Sequence, residues 1–195
     1  MTSESPKLLE PGCDVFASPM QAISYLVFFG RFNSDAMKLF IRPFKKGDEA
    51  DLWRVFFTAI HGLAARDYSP EQVEAWAPAH LEPARWAARI RGTAPFVAQI
   101  GNEIVAYADL QADGYIDHFF VAPDFARRGI GSRLMKEIHE VAMHRGIERL
   151  FSNVSITARP FFERWGFSVE SPQEVTIQGV TLRNFRMEKA LTGAA

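Results

Sequence analysis

From Met37 onward the hydrophobic positions switch between two periods. "MKLFIRPF" reads as a short strand, and the Lys45–Gly47 stretch after it as a turn. Leu52, Val55, Phe56, Ala59, Ile60 and Leu63 then recur at helical spacing, with Asp48 at the N-cap position. "YSPEQVEAW" is a fuller helix start. Ser69 stands at the N-cap, Pro70 at N1 and Gln72 at N3, which completes a capping box. Pro78 ends that helix, and a third short helix is predicted over Pro83 to Arg91. Trp76 and Trp86 sit on these two pieces, either packing them onto a sheet or walling a substrate site. "FVAQI" and "IVAYADL" flank Gly101-Asn102-Glu103 as a hairpin, and Asp113-Gly114 turns into "YIDHFFV". A helix follows to Arg145, with an apolar stripe of Leu134, Met135, Ile138, Val141 and Ala142 and with Gly146 as its C-cap. "IERLFSNVS" is a strand, "ARPFFERW" a short helix, and two closing strands surround Gln178-Gly179.

An antiparallel meander, one β-α-β crossover and a final hairpin make an α+β fold with a single mixed, mostly antiparallel sheet flanked by helices, not a doubly wound one. Residues 1–36 read differently: Pro6, Pro11, Gly12 and Pro19 interrupt them and no period is sustained. They form an N-terminal extension, either a docking arm or the product of a start chosen too early, ahead of a domain over 37–195. The length suits one domain at roughly 100–200 residues per domain.

Composition narrows the function classes. The chain is 48% hydrophobic and has 17 phenylalanines, which argues against disorder. Its net charge of −1 gives no electrostatic case for nucleic acid or an anionic membrane as a partner. With Cys13 the single cysteine, no intramolecular disulfide can form, and no Cys/His cluster has metal-ligand spacing, so no metal is expected. The apolar run Ala22 to Phe29 is far short of the ~20 residues that span a bilayer. The first residues lack the basic start of a signal peptide, so a cytoplasmic location is expected.

The candidate chemistry lies in "VAPDFARRGIGSRLM", residues 121–135. A strand runs into a turn with Gly129 and Gly131, and a helix begins there. The first turn of a helix has unpaired N–H groups and a partial positive charge, and glycines let phosphate oxygens approach the backbone. Arg127 and Arg128 add fork-shaped cationic donors. The stretch therefore reads as a phosphate or pyrophosphate cradle, or as a plain tight turn with a helix cap. A phosphate-binding nucleotide loop would need a lysine before Ser132, and a dinucleotide fingerprint would need a third glycine where Leu134 stands.

"FFVAPDFARRGIGSRLM" followed by "SITARPFFERWGF" resembles the signature pair of the GNAT superfamily of acetyl-CoA-dependent N-acetyltransferases. The element order over 37–189 is similar as well. "YSPEQVEAWAP", "YIDHFFVAP" and "NFRMEK" resemble the YafP-like branch of that superfamily. The resemblance implies a GNAT-like fold and acetyl-CoA as co-substrate. Backbone groups of Phe119, Phe120 and Val121 would pair with the pantetheine arm. Amides of Arg127, Arg128, Gly129, Ile130, Gly131 and Ser132 would hold the pyrophosphate, and the helix near Ala158 to Glu163 would border the cofactor's other side. It also implies that the closing strands can pair between subunits in a homodimer. Three positions depart from the family pattern. Ala126 replaces the usual Arg or Gln of the loop, and Ser155 stands where Asn is frequent. Phe162 replaces the tyrosine that protonates the leaving thiolate.

The reaction so implied is direct transfer of an acetyl group to a primary amine in a ternary complex, the acceptor being a small molecule or a peptide. Asp117, expected on the same strand face as Phe119 and Val121, is the candidate base. Its other role would be to pair with a neighbouring cation. Among the phenols Tyr68, Tyr107 and Tyr115, the candidates for general acid are Tyr115, two residues before Asp117, and Tyr68, just ahead of the capped helix. His118 is expected on the opposite face, packed or catalytic, and His139 and His144 in solvent. Phe56, Phe57, Tyr68, Trp76 and Trp86 form either a flat acceptor wall or simply core. A non-catalytic acyl-CoA-binding module on the same scaffold is the competing reading, with Phe162 in its favour. A nucleotide-binding domain is the third.

Overall fold

The computed structural model describes residues 38–80 and 82–191. Expectations for residues 1–36 lie outside them. In chain order the elements are β1 (Leu39–Pro43), α1 (Glu49–Gly62), α2 (Pro70–Trp76), α3 (Pro83–Thr93), β2 (Phe96–Ile100), β3 (Glu103–Ala108), β4 (Tyr115–Ile116), β5 (Phe119–Val121), α4 (Ile130–His144), β6 (Arg149–Ser155), α5 (Arg159–Arg164), β7 (Ser168–Ile177) and β8 (Val180–Ala190). Single 3₁₀ turns lie at Ala64–Arg66 and Pro123–Phe125. The fold is the expected α+β mixture with helices flanking a mostly antiparallel sheet.

That sheet divides into two four-stranded halves, in the orders β1-β2-β3-β5 and β4-β6-β8-β7. One stretch of chain, 115–121, serves both. Its first part pairs in parallel with β6, Tyr115 opposite Phe151, and its last part pairs antiparallel with β3, Tyr107 opposite Phe120. The parallel pair is the β-α-β crossover through α4, and the remaining pairings are antiparallel.

Two apolar layers hold the sheet. α4 buries Leu134, Met135, Ile138 and Ala142 against Ala106, Ile116, Phe185 and Met187. α1, α2 and α3 bury Leu52, Phe56, Val73 and Trp86 against Val97, Tyr107 and Leu182. Each such large side chain contributes about 1.5–3 kcal/mol by leaving water.

The capping box at Ser69 forms as predicted: Gln72 N–H donates to the Ser69 hydroxyl at 3.2 Å and Ser69 N–H to Gln72 Oε1 at 2.9 Å. Asp48 holds the N-cap position of α1 but its side chain caps nothing. Its carboxylate takes the Arg42 guanidinium at 2.7 Å and the Lys45 N–H at 2.8 Å instead, because a charge-assisted pair outcompetes a lone helix amide. His139 is half-buried, not solvated as its helix position suggested. Nδ1 meets Met135 O at 2.7 Å and Nε2 meets Lys189 Nζ at 2.8 Å.

Candidate active site

The strand "YIDHFFV" does not run through. Ile116 and Phe119 both pack toward α4, whereas His118 touches Phe56, Trp86, Tyr107 and Phe120 in the opposite layer. Strict alternation would put Ile116 and His118 on one face, so the phase slips between them. The slip occurs where the strand leaves β6 for β3 and is pinned by Asp109, whose N–H donates to His118 O at 3.1 Å and whose carboxylate accepts His118 N–H. Asp117 consequently shares surroundings with Tyr115 and His118, not with Phe119 and Val121 as alternation predicted. Tyr115 Oη lies 3.4 Å from Asp117 Oδ1, and His118 Nε2 lies 3.6 Å from Oδ2.

Beyond the slip, β5 has a free side. Asp109 N–H bonds His118 O, and Ala122 N–H bonds Val105 O at 2.9 Å. In an antiparallel ladder these bonded pairs alternate with pairs whose N–H and C=O groups point away. The polar groups of Phe119 and Val121 therefore face away from β3, toward β6, which has parted from the strand.

The Gly-rich turn lies at the end of that opening. Gly129 is the N-cap of α4 with φ 80°, a left-handed geometry that glycine adopts without steric cost, and no side chain caps the helix. The N–H groups of Ile130, Gly131 and Ser132 thus have no helical acceptor. Arg127 is left-handed too, at φ 61°, and it and Arg128 are exposed. At Gly131 a Cβ would stand 3.4 Å from the Phe161 ring and 3.7 Å from Phe119, so longer side chains have no room on that side. An uncapped helix start with exposed arginines and a backbone bared of side chains can bind an anion.

Between the parted strands lies a cavity of about 370 Å³, lined on one side by Phe119, Ala158 and Phe162 and on the other by Phe56, Trp76, Asp117 and Leu182. Arg89 reaches into it from α3 and donates to Asp117 Oδ2 at 3.0 Å. Asn153 donates to Tyr115 Oη at 3.2 Å, which extends the chain Asn153–Tyr115–Asp117–Arg89 along the wall. Asn184 Oδ1 is buried there without a partner.

Burial pushes the Tyr115 hydroxyl up, and the neighbouring Asp117 carboxylate adds to this, so it holds its proton. Burial also pushes Tyr68 up, but its proton is engaged: Oη donates to Arg183 O at 2.6 Å and accepts Ile156 N–H at 3.0 Å. Tyr107 is fully buried, its hydroxyl has no partner, and burial drives it well above its ordinary range. His118 is 1% exposed, both ring nitrogens lack hydrogen-bond partners, and burial lowers it to about 4, so it is neutral at pH 7. Phe162 lies in the core against Phe119 and Phe167. Trp86 is core as well, its Nε1 donating to Glu49 O at 2.7 Å, whereas Trp76 lines the cavity.

Arg89, Asn153 and Asn184 carry no mark in the sequence. Arg89 lies 28 residues from Asp117 on the exposed side of a short helix, so no local spacing points to it. Asn153 alternates with buried Ser152 and Val154 on a strand, which places it on the other face but not beside Tyr115. Among the described residues no group of His, Cys, Asp and Glu is arranged to hold a metal, and no helix is long and apolar enough to cross a membrane.

A sheet that parts between β5 and β6, with an uncapped helix start beside the opening, has the geometry to receive an extended ligand with a phosphate end. Residues 64–190 match the acetyltransferase (GNAT) domain family. The chain is 35% identical to the N-acetyltransferase YafP of Escherichia coli K12 over 147 residues, which are 75% of this chain and 93% of that protein. It superposes on a GCN5-related N-acetyltransferase from Rhodopseudomonas palustris with a TM-score of 0.75 and 34% identity, covering 80% of this chain and 98% of the other. It shares its fold with the PaiA N-acetyltransferase of Thermoplasma acidophilum, solved with coenzyme A, at TM-score 0.63 and 19% identity over 80% of this chain and all of that one. The chain belongs to the GNAT acetyltransferase family and is an acyltransferase.

Proposed function

We propose that this enzyme moves the acetyl group of acetyl-CoA directly to an amine within a ternary complex. The observation that carries this is the opening between β5 and β6, where Phe119 lines the cavity and its ring also stands 3.7 Å from a Cβ at Gly131, in the uncapped first turn of α4. Bound acetyl-CoA supplies an acetyl thioester. Phe119 and Val121 pair with its pantetheine arm as an added strand would; Phe120, expected to share that role, has its backbone directed at Tyr107 of β3 instead. The amides from Arg127 through Arg128, Gly129, Ile130 and Gly131 to Ser132 hold the pyrophosphate, with the two arginine side chains adding charge. A backbone N–H of β5 stabilises negative charge on the thioester oxygen, a donor worth about 3 kcal/mol in such a role.

Asp117 is the proton acceptor for the attacking amine. It is an acid on the cavity wall, 25% exposed and within reach of an acceptor. Tyr115 is the proton donor favoured by the geometry, since its hydroxyl is held only loosely, at 3.4 Å from Asp117, while the Tyr68 proton is held tightly by Arg183 O at 2.6 Å. Phe162 contributes packing and no proton. The test is release of free coenzyme A thiol across a panel of amines. Release that depends on both acetyl-CoA and an amine supports the reading. Tight acetyl-CoA binding with no release from any amine refutes it.

A further inference from the structure

We propose that the acceptor is a zwitterion, an amine with a carboxylate next to it and an apolar side chain, as in a free apolar α-amino acid. This rests on the transfer reading above. The anion cradle belongs to α4, so the cofactor occupies the α4 face of the split sheet and leaves the opposite face to the acceptor. Leu182 and Asn184 on β8 point to that opposite face. Arg183 lines the cavity as well but does not point to that face: its guanidinium lies over the Phe185 ring, in the α4 layer. The charged residues that line the acceptor half are therefore Arg89 and Asp117, and their charges cancel. His118 adds none, being buried and neutral.

A neutral pair of adjacent opposite charges is the complement of a zwitterion. A polyamine would meet one carboxylate already paired, and a guanidinium that repels it. A peptide N-terminus would offer Arg89 an amide oxygen in place of a charge. Arg89 is suited to the carboxylate because its side chain is 54% exposed and spends one N–H on Asp117. Among the described residues its Nε and Nη1 have no hydrogen-bond partner, and one of them together with the second N–H of Nη2 makes a planar fork for two oxygens. The ammonium lies at Asp117, where the proton must go. Phe56, Trp76, Val175 and Leu182 give the side chain an apolar wall.

The experiment compares leucine and phenylalanine with their amides, with 3-methylbutylamine and phenethylamine, and with spermidine and a short peptide, by thiol release at fixed acetyl-CoA. The free acids should exceed the amides and amines in kcat/KM by about tenfold to a hundredfold, mostly through KM, as expected for one charge-assisted contact. Arg89→Met should collapse the acid-to-amide ratio toward one, and Arg89→Lys should keep part of it. Amides or amines used as well as the acids, or a ratio unmoved in Arg89→Met, would overturn the proposal. Turnover of only spermidine or the peptide would overturn it while leaving the transfer reading in place. Silence with every amine would overturn both.

Discussion

At the residue scale the proposed chemistry rests on Asp117 and its neighbours. The carboxylate is held by Arg89 and Tyr115, with the His118 ring behind it. Asp117→Asn keeps the shape and removes the proposed base, so turnover should fall by about 10²–10⁴ with acetyl-CoA affinity unchanged. Steady-state kinetics and calorimetry read the two effects separately. Tyr115→Phe should slow turnover, whereas Tyr68→Phe should act mainly on stability, since it loses the part-buried bonds to Arg183 and Ile156, about 0.5–1.5 kcal/mol each. Behind Asp117 two buried groups titrate in opposite senses. Burial raises Asp109 from 3.8 to about 6, so the folded state binds its proton more tightly. The stability this group contributes is full below pH 4 and lost as pH rises through 6. Burial lowers His118 from 6.5 to about 4, so its contribution is full above pH 6.5 and lost as pH falls through 4. The slopes oppose each other between pH 4 and 6. Denaturant unfolding of Asp109→Asn should show stability rising with pH across that window, and His118→Phe should show it falling. The same slope in both variants and the parent would contradict these assignments.

Much of this was legible at the element scale. Helical spacing marked α1, the Ser69 box marked α2, and the glycines marked the start of α4, because each is a local signal carried by neighbouring residues. The slip between Ile116 and His118 was not legible. It is imposed by β3 through Asp109 and by the parting of β5 from β6, which are contacts distant in sequence, and it moved Asp117 to the other layer from Phe119. The competition for Asp48 has the same origin, since its partner Arg42 lies on β1. The cradle yields a prediction at this scale. Gly129 is left-handed, and a methyl group there would meet nothing within 4 Å, so Gly129→Ala should cost about 1–2 kcal/mol of backbone strain and little else. Thermal unfolding with and without acetyl-CoA checks this: the loss should be similar in both.

For the whole molecule, the split in the sheet explains how one strand can join two layers and still expose backbone to a ligand. The halves part because β5 follows β3 while β6 follows β8, and the cavity is the space they leave. The acceptor half was the least legible part of the chain, because its wall draws on α1, α2, α3, β7 and β8 at once, and no motif spans them. The family resemblance could suggest positions for the proposed cofactor, since the contacts it implies are local and largely main-chain. It could not place Arg89. The most direct measurement of the central claim is a calorimetric titration of the full chain with acetyl-CoA, with ATP and NADH alongside and Gly131→Glu as the variant. Micromolar binding of acetyl-CoA, no heat from ATP or NADH, and loss of binding in Gly131→Glu are the predicted results. Acetyl-CoA binding that survives in a folded Gly131→Glu, or binding of ATP or NADH as tight as that of acetyl-CoA, would contradict the claim that this turn holds the pyrophosphate of coenzyme A.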